Sequence, residues 1–137
     1  MTAKILEYID ETPSGQPWFA YVGYTAPHWP LQAPPSSIKK YEDHYRDGWD
    51  VLRETRREGA IKAGVVPVDA KSVEFEPGVR TWDVLSETER KKQTKIMQVY
   101  AAMVDRMDEN IGRILKRLDQ RGELDRTVII FISDNGG

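Results

Sequence analysis

The chain contains no cysteine. Disulfides and thiolate metal sites are therefore excluded, while the cellular compartment stays open. Long apolar runs are missing too. Nothing approaches the roughly 20 consecutive apolar residues that span a bilayer, and Met1-Thr2-Ala3-Lys4-Ile5-Leu6 lacks the apolar centre of a signal peptide. Neither sign of charge dominates. Lys and Arg total 20, Asp and Glu 22, for a formal net charge of -2, so neither nucleic acid nor an anionic membrane is indicated as a partner. The sequence holds no glycine-rich phosphate loop, zinc-type ligand spacing, nucleophile elbow or internal repeat. What remains is a chain of 137 residues, 39% hydrophobic and 31% charged, which suits one soluble globular domain with a modest core.

Several elements can be placed from pattern. Residues 3–10 carry Ile5, Leu6 and Ile9 at helical spacing, and Thr12-Pro13-Ser14-Gly15 breaks the run. Residues 17–24 are aromatic and apolar on both faces, which predicts a buried, parallel-type strand. A stiff loop follows, with Pro27, Pro30, Pro34 and Pro35 each fixing its own φ. Residues 36–63 are charge-rich and predict one or two short exposed helices, and residues 64–85 are expected to be irregular. Ser86-Glu87-Thr88-Glu89 matches a capping box. A long helix should run from it to about Arg121, with Ile96, Tyr100, Met103, Met107, Ile111, Ile114 and Leu118 recurring every three or four residues as its apolar stripe. Gly122 is the expected residue after its end. Residues 127–132, Thr-Val-Ile-Ile-Phe-Ile, predict a second buried strand. Strand, helical crossover and strand is the logic of an α/β fold with a mostly parallel central sheet flanked by helices. Two strands and one long helix would satisfy it only in part, so further strands are expected from sequence outside these residues.

Two places offer chemistry. The second strand leads into Asp134-Asn135-Gly136, a carboxylate and an amide oxygen beside a glycine. These are hard ligands suited to Ca²⁺ or Mg²⁺, at the strand end where α/β sheets bind ligands. The same tripeptide also suits an ordinary strand-ending turn. His28 lies in the proline-rich loop one step past the first strand. Its imidazole there is suited to contacting an anion or giving a proton to a leaving oxygen; the alternative is a loop histidine packed on Trp29. Parallel strands would carry His28 and Asp134 to one sheet edge. Asp105, Lys39-Lys40 and Arg56-Arg57 read as solvated or packing residues, Met103 and Met107 as core fillers, and Gly112 as a point of close helix packing. His44 has no partner legible in the sequence.

Three stretches resemble the sulfatase family, the arylsulfatases in particular. Phe19-Ala20-Tyr21-Val22-Gly23-Tyr24-Thr25-Ala26-Pro27-His28-Trp29-Pro30-Leu31-Gln32-Ala33-Pro34 is similar to the family's strand and histidine loop. Residues 100–113 are similar to its long helix, and residues 122–136 to its metal-ligand strand. The resemblance implies an alkaline-phosphatase-like fold. It implies a sulfuric ester hydrolase that releases sulfate from a sulfate-ester substrate, using a formylglycine nucleophile and a divalent cation, Ca²⁺ or Mg²⁺. On it, Asp134 and Asn135 would be cation ligands and His28 the active-site histidine. The C/S-x-P-x-R motif from which formylglycine is made does not occur here, nor do the family's other ligands. Residues 1–137 are therefore expected to be an internal part of a sulfatase catalytic domain, with its N- and C-terminal parts missing. Alone it is expected to be inactive and to bind cations weakly, since such sites want about six to eight oxygens. The alternatives are a phosphatase or phosphodiesterase of the same superfamily, or a degenerate non-catalytic domain.

Overall fold

The computed structural model describes residues 1–73, 75 and 77–133. Its helices in chain order are α1 (Thr2–Glu11), α2 (Pro35–Lys39), α3 (Gly48–Lys62) and α4 (Glu87–Gln120), with single 3₁₀ turns at Trp82–Val84 and Leu124–Arg126. No described helix is long and apolar enough to cross a membrane. The chain divides into two compact units, one of residues 1–26 and 106–137, the other of residues 27–105.

The first unit joins α1 to the C-terminal half of α4. Ile9 and Leu118 are its buried apolar side chains. Arg117 pairs with Asp10, and the Arg121 guanidinium donates to the Thr12 carbonyl (2.8 Å) and to Glu123 (3.0 Å). α4 ends as the glycine predicted. Gly122 takes φ +64°; its N–H donates to the Asp119 carbonyl (2.8 Å) and that of Glu123 to the Leu118 carbonyl (2.9 Å). This is the Schellman pattern, which satisfies the last carbonyls of a helix.

The second unit holds α2, α3 and the start of α4. The capping box is present as read: the Ser86 N–H donates to Glu89 (2.8 Å), and the Glu89 N–H donates to the Ser86 hydroxyl (3.3 Å). Hydrogen bonds from the Arg80 guanidinium, then from the Ser86 side chain and backbone, hold the Glu89 carboxyl down from 4.5 to about 2. A carboxyl lowered on folding contributes stability that is complete above its unfolded value and lost as pH falls through the folded one. The stability difference between the parent and Glu89→Gln should therefore be constant above pH 4.5 and shrink towards pH 2. Urea midpoints measured across that range test this; a difference that stays flat would refute it.

The face α4 buries in this unit shares only Met103 with the apolar stripe. Gln98, Ala101, Ala102 and Met103 are its buried positions, with Ala102 at 0% exposure, whereas Tyr100 of the stripe is 36% exposed. Backbone carbonyls of the segment before α3 meet the polar side chains of this face. The Gln98 amide donates to the Glu42 carbonyl (2.9 Å), and the Thr94 hydroxyl donates to that of Tyr45 (3.2 Å). His44 finds partners in the same segment, its ring centroid 5.7 Å from Tyr41 and 6.0 Å from Tyr45. Gly112 does not mark close packing. A Cβ built there meets no atom within 4 Å among the described residues.

The expected α/β sheet is not seen, for none of the described residues forms a β-strand. Residues 17–24 and 127–133 take no regular secondary structure, with Phe19 90% and Val128 87% exposed. The physical reason is that strand geometry is held by ladder bonds from neighbouring backbone. A β-branched run without such neighbours has no ladder to join and leaves its side chains open.

Candidate active site

His28 sits in the second unit, on the loop between Pro27 and the start of α2. Proline restricts this loop from within, and α4 clamps it from below. The Gln32 N–H donates to the Met103 sulfur at 3.4 Å. Just past α2, the Lys40 ammonium donates to Asp105 at 2.7 Å. Tyr41 completes this anchor. Burial first, and then the adjacent Asp105 carboxylate, which accepts its hydrogen bond, push its hydroxyl pKa up. Asp105 is thus a packing residue, as the sequence suggested, but Lys40 is its ion-pair partner rather than a solvated charge. Nothing local signals that pairing, because the two residues are 65 positions apart.

The histidine itself is exposed. It does not pack under Trp29, whose indole is also exposed, at 65%. Its Nδ1 lies 2.7 Å from the Trp29 carbonyl oxygen. The imidazole is therefore tethered at one nitrogen, and the other meets no partner among the described residues. That is a suitable arrangement for meeting an anionic ester and transferring a proton to it.

Asp134 and Asn135, the candidate cation ligands, lie outside the described residues, so their meeting with His28 does as well. Among the described residues no group of three or more histidine, aspartate or glutamate side chains is placed to hold a metal ion. The described part of the chain does not by itself fit a divalent cation.

A second concave feature went unnoticed in the sequence. Glu54, Arg57 and residues 68–72 line an open cavity of about 370 Å³. Arg57, read as a solvated charge, is instead fully engaged: it grips Glu54 through two of its nitrogens and donates to the Ala70 carbonyl at 2.8 Å. Its charge is spent on tying α3 to the segment after it, which leaves little for a ligand.

Comparison with known proteins adds to this geometry. The family model described as Sulfatase matches residues 1–137. An uncharacterized sulfatase of Schizosaccharomyces pombe is 41% identical over 134 residues, 97% of this chain and 24% of its own length. An arylsulfatase of Klebsiella aerogenes is 39% identical over 131 residues, covering 94% of this chain and 28% of its own. Choline-sulfatase of Rhizobium meliloti is 28% identical over 127 residues, 93% of this chain and 23% of its own. The chain thus spans about a quarter of the length of these relatives.

Proposed function

Because this chain belongs to the sulfatase family, we propose that it is an internal part of the catalytic domain of an arylsulfatase-type sulfuric ester hydrolase. The whole protein would release inorganic sulfate from a sulfate ester. The observation that carries this reading is the likeness to the Klebsiella arylsulfatase across nearly the whole chain. In the whole protein, residues 17–24 and 127–133 would be strands of a mostly parallel sheet in an alkaline-phosphatase-like fold. Their open apolar side chains support that assignment.

The roles divide between what lies in this chain and what lies outside it. His28 would contact the sulfate group and give a proton to the departing alcohol oxygen. Asp134 and Asn135 would supply two of the oxygen ligands of a divalent cation, Ca²⁺ or Mg²⁺. Such a cation, when bound, offsets negative charge on the ester oxygens. The formylglycine nucleophile would come from a C/S-x-P-x-R motif outside residues 1–137.

The experiment is to purify the full-length protein and compare release of nitrophenol from 4-nitrophenyl sulfate and from 4-nitrophenyl phosphate. The sulfate ester should be the better substrate. Asp134→Ala should lower its turnover by more than the about 10–100-fold typical of residues outside a metal's own ligands. Preference for the phosphate ester, or full activity in Asp134→Ala, would overturn the proposal.

A further inference from the structure

The tether on His28 constrains which of its nitrogens can work. Nδ1 lies 2.7 Å from the Trp29 carbonyl oxygen. A carbonyl oxygen has no proton to give, so Nδ1 must carry the hydrogen. In the other neutral tautomer, the Nδ1 lone pair would face the oxygen lone pairs at that same distance, which is repulsive. We infer that the main-chain carbonyl of Trp29 locks His28 in its Nδ1–H tautomer and makes Nε2 the nitrogen that meets substrate. Trp29 is a positioning residue in this scheme and acts through its backbone rather than its indole.

The consequence for proton transfer rests on the sulfatase reading. In the imidazolium form, Nε2–H points away from the tether. When the ester S–O bond breaks, the alcohol oxygen takes the Nε2 proton. The N–H electron pair stays on Nε2, and a neutral imidazole remains with its hydrogen on Nδ1. That product is already the tautomer the carbonyl favours, so water can return a proton to Nε2 without moving the ring or the loop. Fixing the tautomer through the second ring nitrogen is how proteins generally orient a working histidine. Here the loop supplies the acceptor from the very next residue. The clamp of Gln32 on Met103 and the prolines on either side keep that acceptor in place.

Two measurements test the assignment. The first is a nitrogen NMR spectrum of the full-length protein labelled with ¹⁵N only at histidine, with His28 identified by subtracting the spectrum of His28→Gln. In its neutral form, at alkaline pH, His28 should show a protonated Nδ1 and an unprotonated Nε2. A protonated Nε2, or an averaged mixture of tautomers, would overturn the lock. The second is kinetic, on 4-nitrophenyl sulfate. Neither Gln nor Asn can transfer the proton, so kcat should fall alike in His28→Gln and His28→Asn. The Gln amide reaches the position of Nε2, whereas the Asn amide reaches only that of Nδ1. KM should therefore stay close to the parent value in His28→Gln and rise about tenfold or more in His28→Asn, through loss of a hydrogen bond to a charged group. Asn binding as well as Gln, or better, would overturn Nε2 as the working nitrogen. A parent protein that does not hydrolyse the ester would sink the sulfatase reading instead, and the nitrogen spectrum would still decide the tautomer.

Discussion

His28→Ala in the full-length protein should lower kcat for a sulfate ester by about 10²- to 10⁴-fold, the usual contribution of a positioned general acid. The size of the loss should depend on the leaving group. A nitrophenolate departs without much need of a proton, whereas a simple alkoxide departs poorly without one. The loss should therefore sit at the lower end for 4-nitrophenyl sulfate and at the upper end for an alkyl sulfate. The structural ground is that His28 is exposed, with no Nε2 partner among the described residues, on a loop pinned by Gln32 to Met103 and followed by the Lys40–Asp105 pair. Nothing in the packing of the second unit depends on its side chain, so the variant should fold as the parent does. A loss of equal size for both esters would argue that His28 binds sulfate without donating a proton. Parent-level turnover of both would remove it from the site.

The second large effect concerns folding. Gly48 opens α3 at φ +88°, a conformation that side chains other than glycine rarely adopt. A Cβ there would lie 2.2 Å from Trp82 Cγ and 2.3 Å from Cδ2, deep inside contact distance. Trp82 has little freedom to yield. Its ring meets Trp49 edge-on at 5.0 Å, its main-chain N–H donates to Asp50 (2.9 Å), and its main-chain carbonyl accepts from Arg90 (3.1 Å). Overpacking costs about 1–3 kcal/mol, and a side chain forced to positive φ costs about 1–3 kcal/mol more. Together these are a large share of the about 5–15 kcal/mol by which a domain is stable. Gly48→Ala should lower the urea midpoint strongly or abolish cooperative unfolding of the second unit. Combining it with Trp82→Ala should cost less than the two single changes added, because the second change removes the clash made by the first. An unchanged midpoint in Gly48→Ala, or strict additivity in the pair, would show that the contact is not tight.

These cases show what could be read ahead of the structure. Signals that act within one helical turn were legible: the Ser86–Glu89 box, the glycine at 122, the break after α1 and the two helices in the charged stretch. Each rests on atoms a few residues apart, so the sequence order already holds both partners. The Gly48–Trp82 contact, the Lys40–Asp105 pair and the seat of Gln98 under residues 42–44 join positions more than 30 apart, and no local pattern marks them. Asp50 and Gln98 look like surface residues by type, yet each satisfies a backbone group of a distant segment. The β-branched content of residues 127–132 predicted a buried strand, but a strand also needs neighbours on both sides, and neighbours are not a property of the run itself. At the candidate site, the stiff loop around His28 was legible from its prolines. The tether from its own next residue was not, because it depends on where one carbonyl points.

The first unit is discontinuous, and that sets an order in time. Asp10 and Thr12 meet Arg117 and Arg121, partners 107 and 109 residues away. A ribosome adding about 5–20 residues per second delivers every residue of the second unit before Arg117 exists. The inserted unit can therefore organise first, while α1 waits tens of residues for its partner helix. Once residues 27–105 are compact, the ends they connect are no longer separated by a freely coiling loop. Closing the first unit then loses less chain entropy than joining the same ends across an unfolded stretch. The part of the chain that carries His28 thus doubles as the spacer that lets α1 and the end of α4 find each other.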